Sequence, residues 1–276
     1  MKKIIPLFLI CLLIVTVAFL VKTPSNFPQK KVIKVDKMLT VEQVGLLLKE
    51  SHVIQSPLIF KALVFKRNIK AGEYYFDTGE SVFSIVNRLV VGKSNLPMIR
   101  ITIPEGSNNE QIGAIIWGKV PNFNAPLFLK KGFALQGRLF PDTYNIPLTA
   151  DEDFVISLLK NTFDKKVGKV SDEAVNMAAI LEEEGKNSEN RKMIADILWR
   201  RLRIGMPLQV DVAKETYKWR GFPARPISNP GLESIQAALN PTANPYLYYI
   251  SDKDGIFHYA KTYDEHLVNI QKYLKK

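Results

Sequence analysis

Three consecutive carboxylates, Glu182-Glu183-Glu184, carry the clearest potential for proton-transfer chemistry in this 276-residue chain. They close a segment, 172–184, that reads as a helix capped by Ser171, with Asp172 and Glu173 in the first turn where the helix dipole favours acids. At about 100° per residue the three glutamates take different faces. Glu183 falls with Asp172 and Asn176 on the polar face. Glu182 continues the stripe of Val175, Ala178 and Ala179, while Glu184 lies on the bulky apolar side with Met177 and Ile180. Two carboxylates thus sit on faces marked for burial. Each needs a partner or a raised pKa there, because desolvation disfavours the charged form. Arg200, Arg201 and Arg203 of the following segment offer Glu184 a structural counter-charge, and Glu182, beside alanines, has room for a ligand above it. A partly desolvated glutamate that keeps its proton near neutral pH suits glycosidic cleavage as general acid. An acidic run at a helix end is also what an ordinary solvated surface looks like. The pattern alone leaves both readings open.

Other catalytic devices are missing from the sequence. Gly221 and Gly231 stand alone, with no phosphate-binding glycine loop around them. His52, His258 and His266 are far apart, show no metal-ligand spacing and read as structural or solvent-facing. No serine occupies a nucleophile elbow. The single cysteine, Cys11, excludes an internal disulfide and a cysteine-built zinc site. No metal and no cofactor are expected. The net charge of +11 is compatible with nucleic acid, an anionic extracytoplasmic polymer or an acidic membrane surface. The basic residues are dispersed and no nucleic-acid-binding motif accompanies them, so nucleic acid is not expected as a partner.

The run Ile4 to Val21 is uncharged and nearly all apolar, long enough for the ~17–25 residues of a spanning helix. Lys2 and Lys3 precede it, favouring a cytoplasmic N-terminus. Val17-Ala18-Phe19-Leu20-Val21 lacks a small-x-small cleavage site, so residues 1–22 are expected to be a single-pass anchor rather than a removed signal, with the rest of the chain exported. Residues 23–30 read as a proline-containing linker. Residues 31–96 follow the order strand, helix, helix, strand, helix. Thr40 with Gln43 and Ser56 with Pro57 open the first two helices, and Gly92 stops the last. A second unit, 97–276, opens with the strand Ile99–Ile103 and continues through helices expected to start at Ser107, Thr149, Ser171 and Ser188. The fold class is α+β: an anchor, a small α+β module and a larger α+β domain with its acidic helix buried.

The order of several short motifs is similar to that of the endolytic murein transglycosylase family. Lys70-Ala71-Gly72-Glu73-Tyr74 and its surroundings resemble that family's LysM-like module. Ile103-Pro104-Glu105-Gly106 and Leu139-Phe140-Pro141-Asp142-Thr143-Tyr144 resemble the opening of its catalytic domain. Ala179 to Glu184, then Arg201 to Gln209, Pro226 to Gly231 and Asn240 to Ala243 follow in order. Singly these motifs are weak, and their shared order makes the resemblance strong. It implies Glu182 as the catalytic residue and Glu184, Gln209, Asp211, Asn229 and Tyr144 as substrate-binding positions. Asn229-Pro230-Gly231 reads equally as a turn before a helix near Leu232, and Tyr144 as a core aromatic. Two departures stand out. Gln136 replaces a usual acid, and the stretch between Asp211 and Thr216-Tyr217 is shorter than the family pattern.

The implied reaction uses one carboxylate twice. Protonated Glu182 gives its proton to the oxygen between N-acetylmuramic acid and N-acetylglucosamine, then takes one from the C6 hydroxyl as a 1,6-anhydro ring closes. Implied partners are peptidoglycan glycan strands and a bacterial inner membrane, with peptidoglycan synthases as candidates, and the implied role is cell-wall biogenesis with control of strand length. Two alternatives stay beside this reading: a hydrolase with Asp211 activating water, and a non-catalytic peptidoglycan-binding membrane scaffold.

Overall fold

The computed structural model describes residues 16, 18–185 and 187–274. The expected anchor lies almost wholly outside the described residues, and among those described no helix is long and apolar enough to cross a membrane. The chain divides between Pro97 and Met98 into two compact units.

In the first unit, β1 (Lys31–Val35) pairs antiparallel with β2 (Gly72–Phe76), with Lys31 opposite Phe76 and Val35 opposite Gly72. Between them lie α1 (Val41–Glu50), opened by a Thr40–Gln43 capping box, and α2 (Pro57–Val64), capped by Ser56 with proline in its first turn. Both starts match the sequence because each hydroxyl satisfies the amide three residues on. Helix α3 (Val82–Val91) ends at Gly92, whose φ of +83° suits glycine's freedom. Val44, Leu48, Phe60, Phe76, Ile85 and Leu89 form the core. Beside it the buried Arg88 pairs with Glu80 and donates to the carbonyls of Tyr75 and Ser94.

In the second unit, β3 (Met98–Thr102) pairs antiparallel with β4 (Thr143–Pro147). Helices α4 (Asn109–Ile116) and α5 (Ala125–Gly132) lie between these strands in sequence. Then come α6 (Glu152–Lys166), α7 (Asp172–Glu184), α8 (Ser188–Arg203), α9 (Leu232–Leu239), the hairpin β5 (Tyr248–Ser251) with β6 (Phe257–Ala260), and α10 (Tyr263–Tyr273). Three helix starts differ from expectation. The caps are Asn108, Asp151 and Asn187 rather than Ser107, Thr149 and Ser188. Each carboxamide or carboxylate reaches the amide three residues on, the same job at a neighbouring position, while the Ser107 hydroxyl is spent on the Pro104 carbonyl.

Helix α7 is the hub of this unit. Ser171 caps it, and it packs against α8 and α9. Every residue from Met177 to Leu181 is buried, alongside Ile194, Leu198, Ile235 and Ala238. Ala174, Ala178 and Ala179 keep the helix narrow, which permits close approach of neighbours on more than one side. A helix surrounded in this way hands its last turn's side chains to whatever lies on each face.

Candidate active site

Glu182 and Glu184 are two residues apart and therefore leave α7 in nearly opposite directions. On the Glu182 side the chain builds an ionic knot. Arg191 of α8 donates from Nη2 to Glu182 Oε1 at 2.9 Å, and the Gly231 amide donates to Oε2 at 2.7 Å. The Glu182 and Arg191 side chains are only 7% and 12% exposed, so this pair is desolvated, with Arg191 Nε left without a hydrogen-bond partner. Arg191 also reaches Glu233 at 3.1 Å. Glu105 crowds the same place: a Cβ on Gly231 would lie 2.0 Å from Glu105 Oε1 and displace it, which is why a glycine stands at the start of α9. Burial raises the Glu105 pKa, Glu182's charge raises it further, and Arg191 opposes both. Glu183 is exposed, as its polar face predicts, with burial of its carboxyl and then Glu182 raising its pKa.

Glu184 faces a cavity of about 410 Å³ whose walls include Arg201, Gln209, Asp211, Tyr217, Tyr249 and His266. Glu182 is not among its walls. Burial raises the Glu184 pKa and the neighbouring Asp211 raises it further, against the pull of the Tyr249 hydroxyl and the Val212 and Asp211 amides. The Tyr249 hydroxyl is 3.4 Å from Oε2, and Oε1 has no hydrogen-bond partner. The expectation that Arg200, Arg201 and Arg203 neutralise Glu184 needs correcting. Arg200 pairs with Asp196, Arg203 is exposed, and Arg201 spends its donors on the Leu208 and Leu247 carbonyls while lying over the Tyr248 and Tyr249 rings. The compensated glutamate is Glu182. Glu184 lines a cavity and keeps one buried oxygen without a hydrogen-bond partner.

The remaining walls come from two places. The segment after α8 turns sharply at Gln209, whose φ is +52°, and Thr216 knots it: the Thr216 hydroxyl accepts from the Val210 amide and donates to the Ala213 carbonyl. The knot holds Tyr217 against Asp211, hydroxyl to Oδ1, at 2.8 Å. Burial, followed by the Asp211 hydrogen bond, pushes the Tyr217 phenol up to about 12. The second source is the hairpin with α10. Tyr248 stacks on His266 with ring centres 5.2 Å apart, and Tyr249 packs on Phe257. Burial and then Arg201 lower the His266 pKa, which favours neutral imidazole.

Of the residues expected at the site, Glu184, Gln209 and Asp211 meet in this cavity. Asn229 is fully buried. It accepts from the Gly137 and Leu139 amides and donates to the Ser107 carbonyl and Asn109, tying three segments together. Tyr144 is a core aromatic whose hydroxyl donates to the Phe140 carbonyl at 2.7 Å, burial pushing its pKa up to about 12. Gln136 also works within the fold, donating to the Pro226 carbonyl. Sequence reasoning missed Arg191, Glu105, Tyr217, Tyr249 and His266. The tyrosines of Tyr246-Leu247-Tyr248-Tyr249 were the one local signal, since a short aromatic strand often builds a wall.

The model of the YceG-like family matches residues 33–214 and 215–272. An endolytic murein transglycosylase of Bacillus subtilis is 28% identical, the match covering 85% of this chain and 82% of the relative. One of the same description from Streptococcus pneumoniae is 24% identical, and there the match covers 85% of this chain but only 56% of the relative. The crystal structure of a yceG-like protein from Listeria monocytogenes superposes with a TM-score of 0.53 at 25% identity, covering 87% of this chain and 98% of that one. With most of its length inside the family model, the chain belongs to the YceG-like family.

Proposed function

We propose that this chain is a lytic transglycosylase, a lyase that cleaves peptidoglycan glycan strands, and that Glu184 rather than Glu182 is its acid/base. The enzyme class follows from the names of the relatives in Bacillus and Streptococcus. One observation carries the assignment of the residue: of the three glutamates that close the acidic helix, Glu184 is the one that lines the aromatic-walled cavity, and its pKa is raised by burial. Glu182, which the motif order suggested, is committed to Arg191 and the Gly231 amide. It serves as a brace.

The Glu184 carboxyl gives its proton to the glycosidic oxygen as the bond from C1 of N-acetylmuramic acid breaks. The sugar's acetamido oxygen stabilises the cationic ring. The Glu184 carboxylate then takes the C6 hydroxyl proton while O6 bonds to C1, leaving a 1,6-anhydro end and restoring the acid. No water is consumed, so a single carboxylate does what two do in most glycosidases. Residues 1–22 would tether the enzyme to the inner membrane with its active unit outside the cytoplasm, and the 31–96 module, resembling LysM, would hold glycan nearby. That arrangement suits control of strand length beside peptidoglycan synthases.

Purified sacculi and mass spectrometry of the products test the reading. Wild type should release anhydro ends, and Glu184→Gln should lose activity by about 10²–10⁴-fold. Normal turnover by Glu184→Gln refutes it. Reducing ends one water heavier would turn the assignment to a hydrolase, and glycan binding without cleavage by wild type would turn it to a scaffold.

A further inference from the structure

The cavity holds a second carboxylate that the single-carboxylate mechanism leaves without a task. Asp211 is exposed and lines the same cavity as Glu184, on a loop tied down on both sides. On one side of it the backbone turns through Gln209 at φ +52°, a conformation that costs a non-glycine residue strain. On the other, the fully buried Thr216 closes the loop with its hydroxyl and with a carbonyl that accepts the Gln209 amide. Tyr217 then grips the Asp211 carboxylate at 2.8 Å. The stretch that is short relative to the family pattern is therefore the very element that presents this charge.

We propose that Asp211, clamped by Tyr217, is a positioning residue whose fixed negative charge keeps the working proton on Glu184. The inference rests on the reading of Glu184 as the acid. Like charges on one cavity wall disfavour each other, so a fixed charge on Asp211 favours the protonated form of Glu184. Asp211 has the tyrosine hydroxyl and solvent. Glu184 is more deeply buried, and draws on the Tyr249 hydroxyl at 3.4 Å and the Val212 and Asp211 amides. The raised Glu184 pKa, due to burial first and Asp211 second, agrees in sign. The other charged or titratable groups facing Glu184 are Arg201 from α8, Tyr217 from the knotted loop, Tyr248 and Tyr249 from β5, and His266 from α10. Arg201 acts in the opposite direction, but its guanidinium is engaged by backbone carbonyls. Tyr217 and Tyr249 stay neutral, burial pushing both phenols up. His266 is shifted towards its neutral form.

The test compares pH–rate profiles of the full chain on purified sacculi with ¹³C NMR titration of the Glu184 carboxyl in the same proteins. Cleavage needs the proton, so the rate falls as pH rises through the Glu184 pKa. Asp211→Asn preserves an acceptor for Tyr217 and removes only the charge. Its alkaline limb and its Glu184 titration should both move down by about one pH unit or more, with the anhydro product unchanged. Asp211→Glu should restore most of the shift. Wild-type limb and titration in Asp211→Asn, with Glu184→Gln inactive, overturn this proposal and leave the proposed function standing. A changed product with an unmoved limb also overturns it, since Asp211 would then act on the sugar or on water. An active Glu184→Gln removes the proposed function itself, whatever Asp211 does.

Discussion

Glu182 and Glu184 share a helix, a residue type and partial burial on either side of the exposed Glu183, yet the fold treats them as opposites. Glu182 has an arginine and an amide on its two oxygens, and a glutamate and a glycine packed beside it. Glu184 has a long tyrosine contact, a like charge and empty space. A buried carboxylate with a donor on each oxygen is held in place as a brace, and one left partly unanswered is a cost to the fold. Sites that carry such a cost are where chemistry is found, because the unmet hydrogen-bonding capacity is what a substrate uses.

The comparison breaks most readily on activity. Glu184→Gln should fall at least about 10²-fold below Glu182→Gln in anhydro-product release, measured at a temperature where both are folded. Equal loss in the two variants would mean that the brace and the acid have been misassigned.

Stability should rank the same two variants the other way. Glu182→Gln removes the buried partner of Arg191, leaving it the exposed Glu233, and should lose about 2 kcal/mol in urea unfolding of the intact chain, while Glu184→Gln loses none. Asn229→Ala belongs with the brace. It strands the Gly137 and Leu139 amides, while the Ser107 carbonyl keeps the backbone amide of residue 229, and should cost about 2 kcal/mol. If Asn229→Ala were as stable as wild type but failed to bind glycan, that side chain would belong to the substrate after all.

The smallest expected effect sharpens the picture. Because the folded-state pKa of Glu184 is raised, the folded protein prefers the protonated group. Wild-type stability from this residue is intact below the ordinary carboxylate range and is lost as pH rises from that range through the raised value. Glu184→Gln cannot titrate, so it should be more stable than wild type above this window by about 0.5–1 kcal/mol, and the gain should vanish at lower pH. A gain independent of pH would point to packing rather than charge.

Much of this architecture was legible in the residues. Thr40 with Gln43, Ser56 with Pro57 and Ser171 announced helices that begin where expected, since capping is a local exchange of hydrogen bonds. The three misplaced caps failed for a related reason. Ser107, Thr149 and Ser188 each have a second polar residue within two positions, and short-range chemistry alone does not choose between them. Gln209 and Asp211 were named from motif order and do line the cavity beside Glu184. Tyr249 and His266 were not, because they reach it from a hairpin and a helix more than sixty residues beyond α7.

Helical periodicity alone determined that the three glutamates point three ways and that two of them enter the protein, because direction follows from about 100° per residue and burial from the company on each face. It could not determine what each one meets. Arg191 comes from the next helix, Gly231 and Glu105 from segments tens of residues away on either side, and the cavity from the knotted loop, the hairpin and α10. Whether a buried carboxyl is answered or left open depends on those distant groups, and only tertiary packing brings them within the few ångströms over which hydrogen bonding and desolvation act.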